Sequence, residues 1–178
     1  MAPEEYEYEL RVPKERVAVL IGVKGEVKKL LERETKTKIE VDSKEGEVKI
    51  KGSDALLLYQ AREIVRAIGR GFNPDTARLL LKQDYGFEMI NISQYAKTKK
   101  NIERLKGRII GEKGKSRRTL EILTQTHLCI YGKTVCIIGP IEQLVDARRA
   151  VESLIAGSSH AHVYKWLEKR RRARRAVL

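Results

Sequence analysis

Long apolar runs, cysteines and aromatic residues are what this 178-residue sequence has little of. No stretch of roughly 18 apolar residues occurs, so no helix is expected to span a bilayer. The opening MAPEEYEYEL is acidic and lacks the basic-then-apolar order of a signal peptide. Its two cysteines, Cys129 and Cys136, lack metal-ligand spacing, which points to a reduced, intracellular and cytoplasmic setting. His160 and His162 stand two apart without a partnering His or Cys motif, so neither a metal nor a cofactor is expected. Neither a convergent nucleophile–base set nor a pair of carboxylates stands out, and the sequence gives no positive case for an enzyme. Asn and Gln are few beside many Lys and Glu, a composition that fits a heat-adapted source.

What is present is positive charge. The chain carries 37 Lys and Arg against 24 Asp and Glu, a net charge of +13 and a pI of about 9.8. Such an excess favours a polyanionic partner. It is unevenly spread: residues 1–82 hold 17 basic and 15 acidic side chains, residues 83–178 hold 20 and 9. At 42% hydrophobic residues, the chain has enough apolar material for a core.

A shift of 89 positions lays one part of the sequence on another. Gly22, Lys24 and Gly25 fall on Gly111, Lys113 and Gly114; Leu31, Glu32, Thr35 and Thr37 fall on Leu120, Glu121, Thr124 and Thr126. Past the next turn the offset becomes 87, and Gly52, Leu57, Arg62, Ile64 and Ile68 meet Gly139, Leu144, Arg149, Val151 and Ile155. An ordered series with one change of loop length means two homologous domains.

Each copy reads strand, helix, helix, strand, strand, helix. EYEYELRV alternates like a half-buried strand. A short helix over Lys14 to Ile21 breaks at GVKG, and a second starts near Glu26. KIEVD and EVKIK form a hairpin around SKEG. Ser53 is expected to cap a longer helix that turns Leu57, Ala61, Ile64 and Ile68 inward. In the second copy, FEMINIS is the strand, and HLCIY and TVCII pair around Gly132–Lys133. Pro140 opens the last long helix, with Ile141, Leu144, Val151, Leu154 and Ile155 inward. NPDTARLLLKQDYG between the copies reads as a short helix and turn.

RIIGEKGKSRR raises the question of an NTP-binding P-loop, G-x-x-x-x-G-K-[ST]. The first glycine of that motif would fall on Ile109, and a charged helix, KNIERLKGR, precedes it instead of an apolar strand. A G-x-x-G between two short helices has another use. Glycine leaves no side chain to fend off a sugar–phosphate backbone, and the following helix aims free N–H groups and its positive dipole end at it. Lys113 and Lys115 add mobile charge.

On these residues both copies resemble KH domains of type I, with I-G-x-x-G at Ile21–Gly25 and Ile110–Gly114. The resemblance implies an α+β fold. Each domain has β-α-α-β-β-α order, with a three-stranded antiparallel sheet carrying three helices on one face. It also implies loops that clamp about four nucleotides of single-stranded RNA, with bases in an apolar groove floored by the helices and second strand. The first KH domain is expected at 1–71, a helical linker at 72–84, the second KH domain at 85–158 and a basic C-terminal helix at 159–178. Carried over residue by residue, the RNA-binding set is Gly22, Val23, Lys24, Gly25 and Lys28 in the first copy. In the second it is Arg104, Arg108, Ile110, Gly111, Glu112, Lys113, Gly114, Lys115, Arg117, Arg118 and Ile130. Lys28 and Arg117 depart from the pattern, which usually has an apolar residue three places after the second glycine; their stems cover apolar surface while their heads reach water or phosphate.

Ten Lys and Arg between residues 97 and 118, against Glu103 and Glu112, make the second copy the expected principal site. In the tail, VYKWLEKRRRARR sets Val163, Trp166 and Leu167 on one stripe, with seven basic residues from Lys165 to Arg175 against Glu168. Trp166 is expected to pack on the domain. With HAHVYKWLEKRRR at the end, the layout resembles archaeal–eukaryotic ribosome-assembly factors of the Dim-two, Pno-one and Krr type. That resemblance implies a monomer bound near the 3′ end of small-subunit rRNA. Its implied partners are the rRNA dimethylase, the rRNA-trimming endonuclease or the alpha subunit of translation initiation factor two. The alternative is a general single-stranded RNA chaperone or exosome-accessory protein without ribosomal specificity.

Overall fold

The computed structural model describes residues 5–177 and divides into two compact units, residues 1–82 and 83–178. In the first, strand β1 (Tyr6–Arg11) leads to helices α1 (Lys14–Ile21) and α2 (Glu26–Thr35), hairpin strands β2 (Lys38–Asp42) and β3 (Glu47–Gly52), and helix α3 (Ala55–Gly69). A one-turn helix α4 (Pro74–Ala77) and a 3-10 turn over Arg78–Leu81 complete the unit. The second repeats the order: β4 (Tyr85–Asn91), α5 (Lys99–Ile110), α6 (Lys115–Thr124), β5 (His127–Tyr131), β6 (Thr134–Pro140) and α7 (Ile141–Ile155). Helix α8 (His160–Val177) follows.

The last strand of each hairpin lies in the middle of an antiparallel sheet, giving orders β1-β3-β2 and β4-β6-β5. Alternation explains the first sheet. Val48 and Ile50 of β3 are buried, whereas Lys49 and Lys51, which alternate with them, face cross-strand partners Glu9, Glu7 and Glu40. Strand β6 is buried from Thr134 to Gly139, and Val135 and Ile137 join the helices in the core. Cys129 and Cys136 are direct cross-strand neighbours and are not joined by a disulfide.

A hydroxyl latch recurs where the second helix meets the second strand. Thr35 donates to the Leu31 carbonyl and accepts from Thr37, both at 2.7 Å; Thr124, Leu120 and Thr126 repeat both distances. Gly52 and Gly139 of the central strands leave the space that the Thr37 and Thr126 methyl groups fill. Buried hydroxyls are thus satisfied within a single turn of chain, as burial requires.

Four local expectations change. Asp54, not Ser53, caps α3, its carboxylate accepting from the Leu56 and Leu57 N–H groups at 2.9 and 3.0 Å. On that helix Leu58 is buried and Leu57 only half-buried, because the packed stripe also takes in Val65. Ile141 is 55% exposed: it sits in the first turn of α7, where its N–H is held by the Asp84 carbonyl. The strand of the second copy starts at Tyr85 and stops at Asn91, whose side chain accepts from the Ser93 N–H and opens a 3-10 turn over Ile92–Gln94. In the tail, Val163 and Leu167 are buried, and Trp166 packs against the core under the Arg149 guanidinium.

The residue 74–81 segment is tied down by Arg78, whose guanidinium is hydrogen-bonded to both Glu34 carboxylate oxygens on α2. That bond holds the Glu34 carboxyl below its ordinary value of 4.5. A folded-state value below the unfolded one gives stability that is complete above the ordinary carboxylate range and is lost as pH falls through the folded value. Glu34→Gln should therefore lower neutral-pH stability by about 0.5–1 kcal/mol, a partly exposed pair being screened. The gap should close in acid; urea unfolding at several pH values checks it, and a constant gap contradicts it.

Candidate nucleic-acid interface

Each G-x-x-G forms one tight turn between two helices, with nearly the same backbone in both copies. Gly22 and Gly111 adopt φ 74° and 71°; Gly25 and Gly114 adopt φ 78° and 74°. The lysine between them is also left-handed, Lys24 at φ 53° and Lys113 at φ 49°. A non-glycine residue held there carries strain on the order of 1 kcal/mol, which the surrounding helices must enforce.

The two glycines differ in what they are for. A Cβ on Gly111 would lie 2.7 Å from Ser116 Cβ and 2.8 Å from Ser116 N; one on Gly22 would lie 2.5 Å from Val27 Cγ2. The first glycine is a contact point against the next helix. Around the second, only a flexible side chain comes near: Lys29 Cε at 3.8 Å or Arg118 Nη1 at 3.2 Å. Its left-handed backbone is the requirement there. Beyond it α2 and α6 begin without a side-chain cap, each presenting the positive end of its dipole, while the N–H groups of Gly25 and Glu26, and of Gly114 and Lys115, are bonded to carbonyls within the turn. Glu112, Lys113 and Lys115 are exposed around this end in the second copy, as are Val23 and Lys24 in the first.

The helix α8 adds support in the second copy that sequence reasoning missed. Tyr164 donates from its hydroxyl to Ser116 Oγ at 3.0 Å, under the contact point of Gly111. His160 Nε2 lies 2.7 Å from the Arg108 carbonyl at the end of α5. Their helical spacing in HAHVY, four apart on one face, was the available signal.

Not every predicted cation is available to a ligand. Arg108 donates to the carbonyls of Leu154 and Ser158 at 3.1 and 2.6 Å, closing the end of α7. Arg16, from a different position on α1, does the same for Ile68 and Phe72 at 2.8 and 2.7 Å. Arg104 is exposed on α5, Ile110 is half-buried at its end, and Ile130 packs against the core from β5.

The departing residues Lys28 and Arg117 serve a repeated device. Glu32 and Glu121 each accept the N–H of a β2 or β5 residue, Ile39 or Leu128, at 2.8 Å. Lys28 joins this bond by donating to Glu32 at 3.0 Å and to the Ile39 carbonyl at 2.9 Å. Arg117 stands 3.6 Å from Glu121, near enough for an ion pair. The charged head therefore ties helix to strand in the first copy more tightly than in the second.

A three-stranded sheet with this helix–G-x-x-G–helix insertion, present twice, defines a tandem type I KH protein, an RNA-binding class. Residues 86–172 match the family described as the eukaryotic type KH domain, KH-domain type I, and residues 7–67 match the KH domain family. A KH domain-containing protein of Methanocaldococcus jannaschii is 50% identical over 166 residues, 91% of this chain and 73% of that protein. Crystalline Dim2p from Pyrococcus horikoshii OT3 is 44% identical with a TM-score of 0.87, over 92% of this chain and 99% of that one. A chain of the a/eIF2alpha–aDim2p–rRNA complex from the same organism is 43% identical with a TM-score of 0.89, over 95% and 96%. The chain belongs to the archaeal Dim2p/Pno1 family of tandem KH-domain proteins.

The two glycines should respond differently to substitution. Gly114→Ala incurs the left-handed backbone penalty of about 1–2 kcal/mol. Gly111→Ala adds an overlap with Ser116 and should lose about 1–3 kcal/mol more. Urea denaturation of both variants measures the order, and equal losses contradict it.

Proposed function

We propose that this protein binds single-stranded rRNA near the 3′ end of small-subunit rRNA, as an assembly factor of the small ribosomal subunit. The observation that carries the reading is the second G-x-x-G loop, with Lys113, Lys115 and Arg118 exposed around an uncapped helix start. Its likeness to aDim2p in a complex with rRNA and a/eIF2alpha supports both the ligand and a first protein partner, the alpha subunit of initiation factor two. The rRNA dimethylase and the rRNA-trimming endonuclease are further partners on this reading. The role is one of binding: the loop offers cations and the positive end of α6, which hold phosphates in place.

In this scheme Gly111, Glu112, Lys113, Gly114, Lys115, Arg117 and Arg118 grip the backbone, and Ile110 and Ile130 line the base groove. The first domain, through Gly22, Val23, Lys24 and Gly25, assists. Lys28 is occupied by Glu32 and the Ile39 carbonyl, so it contributes to the first groove's shape more than to its charge. Arg108 acts by fixing the end of α5 beneath the loop, through its bonds to α7.

Lys113→Asp should weaken binding of an rRNA 3′-end oligonucleotide by about tenfold or more, replacing an attractive phosphate contact by a repulsive one. Lys24→Asp should do less. Titration by fluorescence anisotropy at fixed salt, with scrambled RNA as control, separates the outcomes. Equal losses from the two variants refute the asymmetry, and equal affinity for scrambled RNA favours a general RNA chaperone.

A further inference from the structure

Arg118 lies over the second glycine of the loop, and a shallow cleft runs from it along α6 past Glu121 and Ile122 to Gln125 and His127. Gln125 is also the lip of a second cleft, of about 600 Å³, whose far wall is the last two turns of α8. The two depressions share a residue, so one continuous surface leads from the loop to the tail. Helix α6 has ten residues, which sets the separation of its ends at roughly 15 Å.

The chemistry of the second cleft is that of an incomplete anion site. Arg170, Arg171, Arg174 and Arg175 line it from α8, and Glu142 and Gln143 from the start of α7. Asp146, only 3% exposed, anchors this wall by pairing with Arg170 at 3.1 Å and Arg174 at 3.2 Å. Arg171 Nε, Arg174 Nη1 and Gln143 Oε1 are nevertheless buried without a hydrogen-bond partner. They are three of the four such side-chain atoms among the described residues, and all three belong to residues of this one cleft. Buried polar atoms left unpaired are costly, and their concentration here leaves the hydrogen bonding of this cleft incomplete.

Guanidinium donors call for an anion with several acceptor oxygens, and the Gln143 carboxamide oxygen calls for a donor beside it. A phosphodiester with its neighbouring 2′-hydroxyl supplies both. Continuity with the G-x-x-G loop favours the same strand over a separate acidic protein.

We propose that the RNA track does not end at the loop. The strand continues along α6 and is gripped a second time in the arginine cleft between α7 and α8, so the tail helix lengthens the binding site. This inference rests on the reading of the G-x-x-G loop as an RNA clamp. The test compares full-length protein with the double variant Arg171→Ala/Arg175→Ala, neither of which pairs with Asp146. Each is titrated with single-stranded RNA of about four and of about twelve nucleotides, four being the number a G-x-x-G loop clamps.

The double variant should match the unaltered protein on the short RNA and lose about tenfold on the long one. Its salt slope on the long RNA should be shallower by about 1.4, the loss of two phosphate contacts on a single strand. Arg175→Glu alone, on an exposed side chain, should lower long-RNA affinity without any change of packing. Unchanged affinity for the long RNA overturns the proposal and leaves the cleft to an acidic protein surface; equal loss on both lengths overturns it as well. Failure of the unaltered protein to bind either RNA defeats the clamp reading itself, an outcome distinct from the other two.

Discussion

The contact of a loop glycine with the helix that follows it is the constraint on which the rest of this structure depends. Gly111 rests on Ser116, and Gly22 on Val27, at distances that leave no room for a side chain. That contact forces the chain to reverse between α5 and α6 within four residues. The reversal drives Lys113 into the left-handed region, and α6 begins without a side-chain cap. The geometry of the turn is thus a consequence of packing: the same close approach that closes it leaves Lys113 and Lys115 exposed at the positive end of α6.

Around that shared device the two copies have diverged in their supports. The first loop rests on an aliphatic valine, and its neighbouring lysine is drawn into a bond between helix and strand. The second loop rests on a serine held by Tyr164 from α8, and its neighbouring arginine makes only a looser ion pair. Charge follows the same division, with α5 longer than α1 and carrying Lys99, Lys100 and Arg104 on exposed positions. A duplicated fold has become one braced, strongly basic loop and one less charged loop.

Much of this was legible in the residue pattern. The offset of 89 identified the repeat, and period-two alternation in EVKIK found a strand whose lysines do face carboxylates across the sheet. The G-x-x-G pair located both turns. What the pattern could not disclose is which charges are already occupied. Arg108 and Lys28 read as cations beside a phosphate loop, yet both spend their donors on backbone carbonyls, because helix ends and an edge strand nearby lacked partners. Arg16 closes α3 as Arg108 closes α7, from a non-equivalent position, so the alignment of the copies gave no warning. Ile141 failed for a different reason: it has the right spacing for the core stripe but sits in the first helical turn, and periodicity cannot tell a packed turn from an exposed one. Tyr164 read only as part of an amphipathic tail, since its partner Ser116 lies 48 residues away.

The central claim is that the second G-x-x-G loop is where the RNA backbone is held. Backbone amide resonances followed by NMR during titration with single-stranded RNA test it most directly. The account predicts the largest shifts at Lys113, Gly114, Lys115 and Ser116, with smaller ones at Lys24 to Val27. Shifts concentrated elsewhere, with the 113–116 amides unmoved at saturation, would contradict it.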